Sequence, residues 1–259
     1  MVVNKLLAMY RRYRSRKTMA ADPRYTDVYV VEFPKSGVTW LSTILSNAAL
    51  LQSGRPETAT FGNAHYYVPD IHLSRRIGTP IYQRPPCRLI KSHSTWNPNY
   101  NFVIYLVRNP LAVMKSYFRF LNEHDGKRHH DFHRFCMDSR LGIPAWRRHI
   151  NSWLTGPVVG NRLHLVRYED LQKNPVTEIM AISQNLGWSL DESKVTEAVD
   201  LSSIGLMKES ENFYRRRNPR YTMHFVGGKC DVDAEPKTLG YIQEVCANEL
   251  DLLGYSRTF

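Results

Sequence analysis

A chain of 259 residues, 42% hydrophobic and 23% charged, suits one globular domain of the larger kind with a small appendage. Its longest apolar stretch, Leu41 to Leu51, is broken by Ser42, Thr43, Ser46 and Asn47, short of the roughly 18 residues a membrane span needs. The net charge of +11 calls for an anionic partner, and neither zinc-finger spacing nor an RNP-type aromatic motif directs that partner toward nucleic acid.

Residues 1–27 read as a basic leader. A short apolar patch precedes five basic residues between Arg11 and Lys17, the reverse of a secretory signal. Weak contact with a membrane surface is compatible with it; a solvated or frayed segment is the simpler reading. Residues 28–259 read as a single domain. The four cysteines, Cys87, Cys136, Cys230 and Cys246, form no C-x-x-C pair, so no disulfide framework is required and a reducing, cytoplasmic setting is expected.

The first strand, Val28–Phe33, leads through Pro34-Lys35-Ser36-Gly37 into a helical pattern over Thr39–Leu51 with Leu41, Ile44, Leu45 and Ala48 on one face. A strand, a Gly-containing turn with a Lys, and a helix N-terminus make an anion cradle. The first helical N–H groups lack intrahelical partners, and the helix dipole favours negative charge there. Lys35 adds a cation, and Ser36 and Thr39 add hydroxyls. Walker A spacing, G-x-x-x-x-G-K-[ST], is absent because Lys35 precedes the only Gly of the turn. Next comes an irregular segment, Gly54–Pro86, with Phe61, His65, Tyr66, Tyr67, His72 and Tyr82. Such an insertion in an α/β domain suits a substrate-side lid.

Further strands are expected at Arg88–Lys91, Phe102–Val107 and Leu163–Val166. The continuously apolar Phe102–Val107 fits a strand covered on both faces. Helices are expected at Leu111–Leu121, at Asn174–Leu186 (Asn174 as N-cap, Pro175 in the first turn, Gly187 past the end) and over Thr238–Tyr255. Glu123–Arg134 reads as a polar exposed run and Phe213–Asp233 as basic and irregular. Strands alternating with helices define an α/β fold with a mainly parallel central sheet flanked by helices. Ligands of such sheets bind beyond the carboxyl ends of the strands. Lys35, Lys91 with His93, Arg108 and Arg167 lie at those four ends, a cationic edge suited to a polyanion.

Pro-Lys-Ser-Gly-x-Thr-Trp after the first strand resembles the 5′-phosphosulfate loop of sulfotransferases that use 3′-phosphoadenosine 5′-phosphosulfate (PAPS). Other motifs follow in that family's order, covering roughly Val28 to Tyr255. Arg108-Asn109-Pro110 with Ser116 matches the family's Arg and Ser, eight positions apart, that hold the 3′-phosphate. Lys91-Ser92-His93 is similar to the family's Lys-Thr-His, whose His takes the acceptor proton. Arg167-Tyr168-Glu169-Asp170-Leu171 resembles the segment whose Tyr contacts adenine, with Glu169 and Asp170 read as structural. Leu201–Lys208 looks like the adenine-side segment, with Ser202 and Ile204 flanking the base.

The resemblance implies a P-loop-like sulfotransferase fold, with His93 and Lys35 catalytic. It implies PAPS held by Lys35, Ser36, Gly37, Val38, Thr39, Trp40, Arg108, Ser116, Tyr168, Ser202, Ile204, Gly228 and Lys229. Imidazole has an ordinary pKa near 6.5, and Lys91 should lower that of His93 by like-charge repulsion.

The sequence departs from the family in three places. Val38 stands where Thr is usual, Ile204 where Phe is usual, and Gly227-Gly228-Lys229 lacks the Arg-Lys pair and Trp of the C-terminal phosphate loop. Arg215, Arg216, Arg217 or Arg220 could supply that charge. His124, His129, His130 and His133 complete no zinc motif, so no metal is expected. The acceptor is a small molecule or glycan, with phenol, sugar and polar natural product all open. A small-molecule kinase with an aberrant phosphate loop and a non-enzymatic polyanion-binding protein are the alternatives.

Overall fold

The computed structural model describes residues 18–78, 82–83, 86–124, 131–155, 162–218 and 232–258. In chain order the strands are β1 (Val28–Glu32), β2 (Tyr82–Gln83), β3 (Pro86–Cys87), β4 (Leu89–Ser92), β5 (Phe102–Val107) and β6 (Arg162–Arg167). Four of them form a parallel sheet of order β4-β1-β5-β6, and β2 and β3 pair antiparallel apart from it. The expected α/β fold with a parallel sheet is therefore present, and the four expected strands match within a residue or two.

Alternation along the strands divides the apolar runs between two cores. Tyr29, Val31, Ile90, Val103, Tyr105 and Val107 face one side of the sheet. Val28, Val30, Leu89, Ile104, Leu106 and Val166 face the other. The chain leaves β1 for β4 on one side and returns to β5 on the other, so the strand order reverses around β1. A crevice opens at such a reversal, at the carboxyl ends of the strands.

The helices are α1 (Val38–Gln52), α2 (Ala64–Tyr67), α3 (Pro110–His124), α4 (Phe132–Met137), α5 (Ile143–Leu154), α6 (Tyr168–Lys173), α7 (Pro175–Leu186), α8 (Glu192–Leu201), α9 (Ile204–Arg217), α10 (Pro236–Val245) and α11 (Ala247–Leu252). The end markers read for α7 are in place, with Asn174 before it, Pro175 in its first turn and Gly187 left-handed at φ 67°. α1 is buried nearly all round rather than on one face. Its Asn47 side chain accepts from Ala59 N (2.7 Å) and donates to Ala59 O (3.0 Å), stapling the start of the 54–86 segment to the helix.

Three expectations are corrected. Phe213–Arg217, expected to be irregular, is the last turn of α9, a helix anchored by buried Met207 and Glu211 one turn apart. The Glu123–Arg134 run is not simply exposed. α3 extends to His124, Asp131 caps α4, and Phe132 is buried; His133 Nδ1 lies 3.1 Å from Thr238 Oγ1. Within the leader, Met19 and Ala20 are buried in the core. The end of that leader is also held by charge. Buried Arg88 makes two bonds of 2.7 Å to the Asp27 carboxylate and bonds to Asp22 as well.

Among the described residues no helix is long and apolar enough to cross a membrane. The basic run Arg11–Lys17, His129, His130, Gly227, Gly228, Lys229 and Arg220 lie outside the described residues.

Replacing Arg88 by Leu strands a buried Asp27 carboxylate, and such a loss costs about 3–5 kcal/mol. Chemical denaturation of Arg88→Leu should show that drop; a loss below about 1 kcal/mol would mean that solvent reaches Asp27.

Candidate functional site

The turn between β1 and α1 is tightly wound. Lys35 is left-handed at φ 75°, the only non-glycine with positive φ among the described residues, and Gly37 follows at φ 111°. A Cβ on Gly37 would stand 2.5 Å from Tyr168 Cδ2, so both conformation and space require glycine. The left-handed Lys35 is the kind of backbone outlier that clusters at ligand clamps.

The donors of this turn are distributed differently from the sequence expectation. Ser36 N and Ser36 Oγ both donate to Phe33 O, at 3.2 Å and 2.8 Å. Val38 N donates to Glu32 Oε2 at 2.8 Å, and the Val38 side chain joins the core. Trp40 N donates to Gly37 O. Among the described residues this leaves the N–H groups of Lys35, Gly37 and Thr39 without a partner in the protein, and Gly37 and Thr39 flank the start of α1, where an outside anion would sit. A buried helix N-terminus must satisfy its donors, and here Glu32 takes one of them.

Glu32 is the residue around which the charges gather, and sequence reading passed over it as part of a strand. Burial raises its carboxyl pKa, and Lys91, the Val38 N–H, Lys35 and Arg108 oppose that rise. Lys35 is the counterpart. Burial pulls its ammonium down to about 8, Glu32 pushes it back up, and Lys91 and Arg108 lower it. Its Nζ sits 4.3 Å from the centre of the Phe120 ring on α3. That helix also carries the half-buried Ser116.

On the side of β5 and β6, Arg108 donates to Lys35 O at 3.2 Å and lies 4.3 Å above the Tyr168 ring. Its Nε is buried with no hydrogen-bond partner among the described residues, a polar group suited to an incoming anion. Tyr168 packs beside Gly37 and meets Trp40 edge-on at 5.9 Å. Trp40 Nε1 donates to Ser202 O at 2.9 Å. Ser202 Oγ accepts from Asn47 and donates to Ala198 O, so Ser202 is a buried joint behind Trp40. Ile204 is 37% exposed and open to a ligand. Glu169 is structural as expected: it accepts from Asn109 N (3.0 Å) and from Tyr255 Oη (2.7 Å). Asp170 lies 3.5 Å from Arg167.

His93 stands just beyond β4. Its Nδ1 is 3.4 Å from Glu32 O and 3.8 Å from Glu32 Oε1, and its Nε2 is 3.7 Å from Asp70 Oδ2. Burial, Lys91 and His72 bring its pKa down to about 4, with Asp70 and the Glu32 carbonyl opposing. Lys91 acts in the expected direction, but burial is the larger cause. His93 is therefore neutral at neutral pH, and its carboxylate contacts are not ion pairs. A carbonyl can only accept, so the contact with Glu32 O favours the Nδ1–H tautomer and leaves Nε2 as the basic nitrogen.

Ser92 Oγ is 3.0 Å from Tyr100 Oη and accepts from Ser94 N, so Ser92 shapes the turn. Trp153 Nε1 donates to Ser94 O, and Ser152 Oγ accepts from Trp96 N, docking the chain after His93 onto α5. His149 on α5, which sequence reading passed over, shares a 2.8 Å bond with Tyr105 Oη; burial pushes it down to about 3. No His/Cys/Asp/Glu group among the described residues could hold a metal.

A family model described as the sulfotransferase domain matches residues 25–226. Sulfotransferase 1A1 of Rattus norvegicus is 32% identical over 207 residues, 71% of this chain and 67% of that protein. Sulfotransferase 1B1 of Mus musculus is 31% identical over 202 residues, 71% of this chain and 66% of that protein. Among solved structures, mouse sulfotransferase SULT7A1 complexed with PAP gives a TM-score of 0.63 at 19% identity, covering 91% of this chain and 88% of that one. Retinol dehydratase in complex with androsterone and PAP gives 0.64 at 15%, covering 88% and 82%. These two share the fold. The chain belongs to the sulfotransferase family and is by class a sulfotransferase.

His93 and His149 stay neutral in the fold down to about 4 and about 3, whereas an unfolded imidazole takes its proton near 6.5. In that window the unfolded chain binds more protons, so stability is full above about 6.5 and declines as pH falls. His149→Phe removes one such group. Its melting temperature should fall less than that of wild type between about pH 7 and about pH 4.5; equal falls would mean that His149 is protonated in the fold.

Proposed function

We propose that this chain transfers the sulfuryl group of PAPS to an acceptor hydroxyl, with His93 as general base and Lys35 as the cation that meets the developing charge. The observation that carries this reading is the pairing of a neutral imidazole and a half-buried ammonium at the ends of the adjacent strands β4 and β1, with Glu32 beside the first and raising the pKa of the second. His93 Nε2 takes the proton as the acceptor oxygen attacks sulfur. The bond from sulfur to the bridging oxygen of the 5′-phosphate breaks, and its electron pair stays on that oxygen. Lys35 and the N–H groups of Gly37 and Thr39 stabilise the charge there. Adenosine 3′,5′-bisphosphate (PAP) leaves, and the His93 proton passes to solvent. The negative charge of bound PAPS raises the pKa of His93, making it a better base than in the free protein.

Lys35 through Trp40 are assigned to the phosphosulfate, Arg108 and Ser116 to the 3′-phosphate, and Tyr168, Ser202 and Ile204 to the adenine side. Ser36, Val38 and Ser202 serve by holding the walls, since their polar groups are engaged within the protein. The unpartnered Arg108 Nε supports the 3′-phosphate assignment. Gly228 and Lys229 remain assigned to the 3′-phosphate on the resemblance alone. The acceptor is proposed to be a small hydroxyl-bearing molecule, a phenol, sugar or polar natural product. Neighbours of the same fold crystallised with androsterone or retinol support that class. The free thiols of Cys87, Cys136 and Cys246 support a cytoplasmic setting.

PAP should raise the melting temperature more than ATP or an oligonucleotide at equal concentration; a larger shift with either of those would favour the kinase or polyanion reading. His93→Ala should lower kcat by about a hundredfold or more while PAP still binds. Lys35→Ala should cost about as much in kcat, and full activity in either purified variant removes that residue's role. Free Lys35 loses its proton as pH rises through about 8, so kcat/KM for PAPS should fall above that pH. A profile flat to about pH 10 would contradict Lys35 as the charge-bearing group.

A further inference from the structure

Among the described residues, the 54–86 segment makes a backbone bridge to the sheet beside the proposed base. Lys91 N donates to Pro69 O at 2.9 Å and Ile71 N donates to Lys91 O at 3.0 Å, making a parallel bridge between Asp70 and Lys91. The bridge acts as an extra rung on the outer edge of β4. Val68 and Ile71 fix it by burying their side chains. Two residues past Asp70 is His72, and two past Lys91 is His93, so parallel register brings the two histidines level.

The His93 amide lies beyond the last residue of β4. It donates to His72 Nε2 at 3.0 Å. His72 N donates to Asp70 Oδ1 at 2.9 Å, and Asp70 Oδ2 is 3.4 Å from Lys91 Nζ. The two imidazole rings lie 5.9 Å apart and 24° from parallel. Lys91 thus faces the Asp70 carboxylate, Asp70 holds the backbone of His72, and the His72 imidazole in turn holds the backbone of the base.

We propose that His72, seated by Asp70, is a positioning residue: its Nε2 accepts the His93 N–H and so fixes the backbone from which the base reaches the acceptor. This rests on the assignment of His93 as base. The bond requires a lone pair on His72 Nε2 and hence a proton on Nδ1. It also makes the acceptor-side segment and the base one mechanical unit, so a shift of the segment moves the catalytic imidazole.

Two variants of the full chain test this. His72→Leu removes the acceptor, and His72→Gln can place an amide oxygen near the former Nε2 position. The bond lies at an exposed position, where losing one is worth about 0.5–1.5 kcal/mol. His72→Leu should therefore lower kcat about twofold to tenfold, with PAP affinity unchanged within about twofold, and His72→Gln should recover most of the loss. Nitrogen-15 NMR should find His72 as the Nδ1–H tautomer, with the ring signals of His93 displaced in His72→Leu and restored in His72→Gln. A His72→Leu enzyme with wild-type kcat, a His72 that carries its proton on Nε2, or His93 signals unmoved in His72→Leu would each overturn the proposal. The NMR arm needs no turnover. A wild-type protein inactive toward every acceptor but showing these signals would count against the function and leave the His72 contact standing.

Discussion

A single buried carboxylate, Glu32, makes the rest of the site possible. Three cations, Lys35, Lys91 and Arg108, act on it at the carboxyl edge of the sheet, and all three lower its pKa against the cost of burial. Taking an isolated ion out of water costs several kcal/mol after relaxation, so cations at an apolar edge need a counter-charge nearby. Glu32 supplies it from the last position of β1. The same side chain takes the Val38 N–H, so it also fixes the start of α1. The edge remains cation-rich, and an arriving polyanion completes the compensation that one carboxylate begins.

The left-handed turn and its neighbours depend on this arrangement. With the Ser36 and Val38 donors used internally, the turn holds its shape before any ligand arrives, which is what preorganised electrostatic stabilisation requires. Tyr168 closes one side at the place where any residue but glycine at position 37 would collide. Trp40, Ser202 and Asn47 then tie α1 to the α8–α9 junction. Residues distant in sequence thus become one wall, while β4 and the His72 contact form the opposite one.

Much of the architecture was legible because period and punctuation are local. Alternating short apolar runs and helical patterns gave the parallel sheet, since a strand covered on both faces has no polar side to show. The Asn-Pro start and Gly end of α7 could be read because capping involves neighbouring residues. α9 was missed at Phe213–Arg217 because its run of arginines masks two buried anchors, Met207 and Glu211. Phe132 and His133 were hidden in the same way by the polar residues around them.

The candidate site divides along the same line. Lys35, His93, Arg108 and Tyr168 are identifiable in the sequence because each follows a strand, and the ends of parallel strands converge. The partners of these groups are not identifiable there. Glu32 resembles a polar interruption in a strand, Arg88 resembles a surface cation, and His72 is one aromatic residue among several in an irregular segment. Their roles arise from register and burial. Lys91 opposite Asp70 brings His72 level with His93, and the depth of the sheet edge sets the protonation of Lys35 and His93. The order of residues along the chain is enough to place charges at strand ends. Which N–H groups stay open and which imidazole stays neutral depends on distances and exclusion of water, and those exist only after the chain has closed around the sheet.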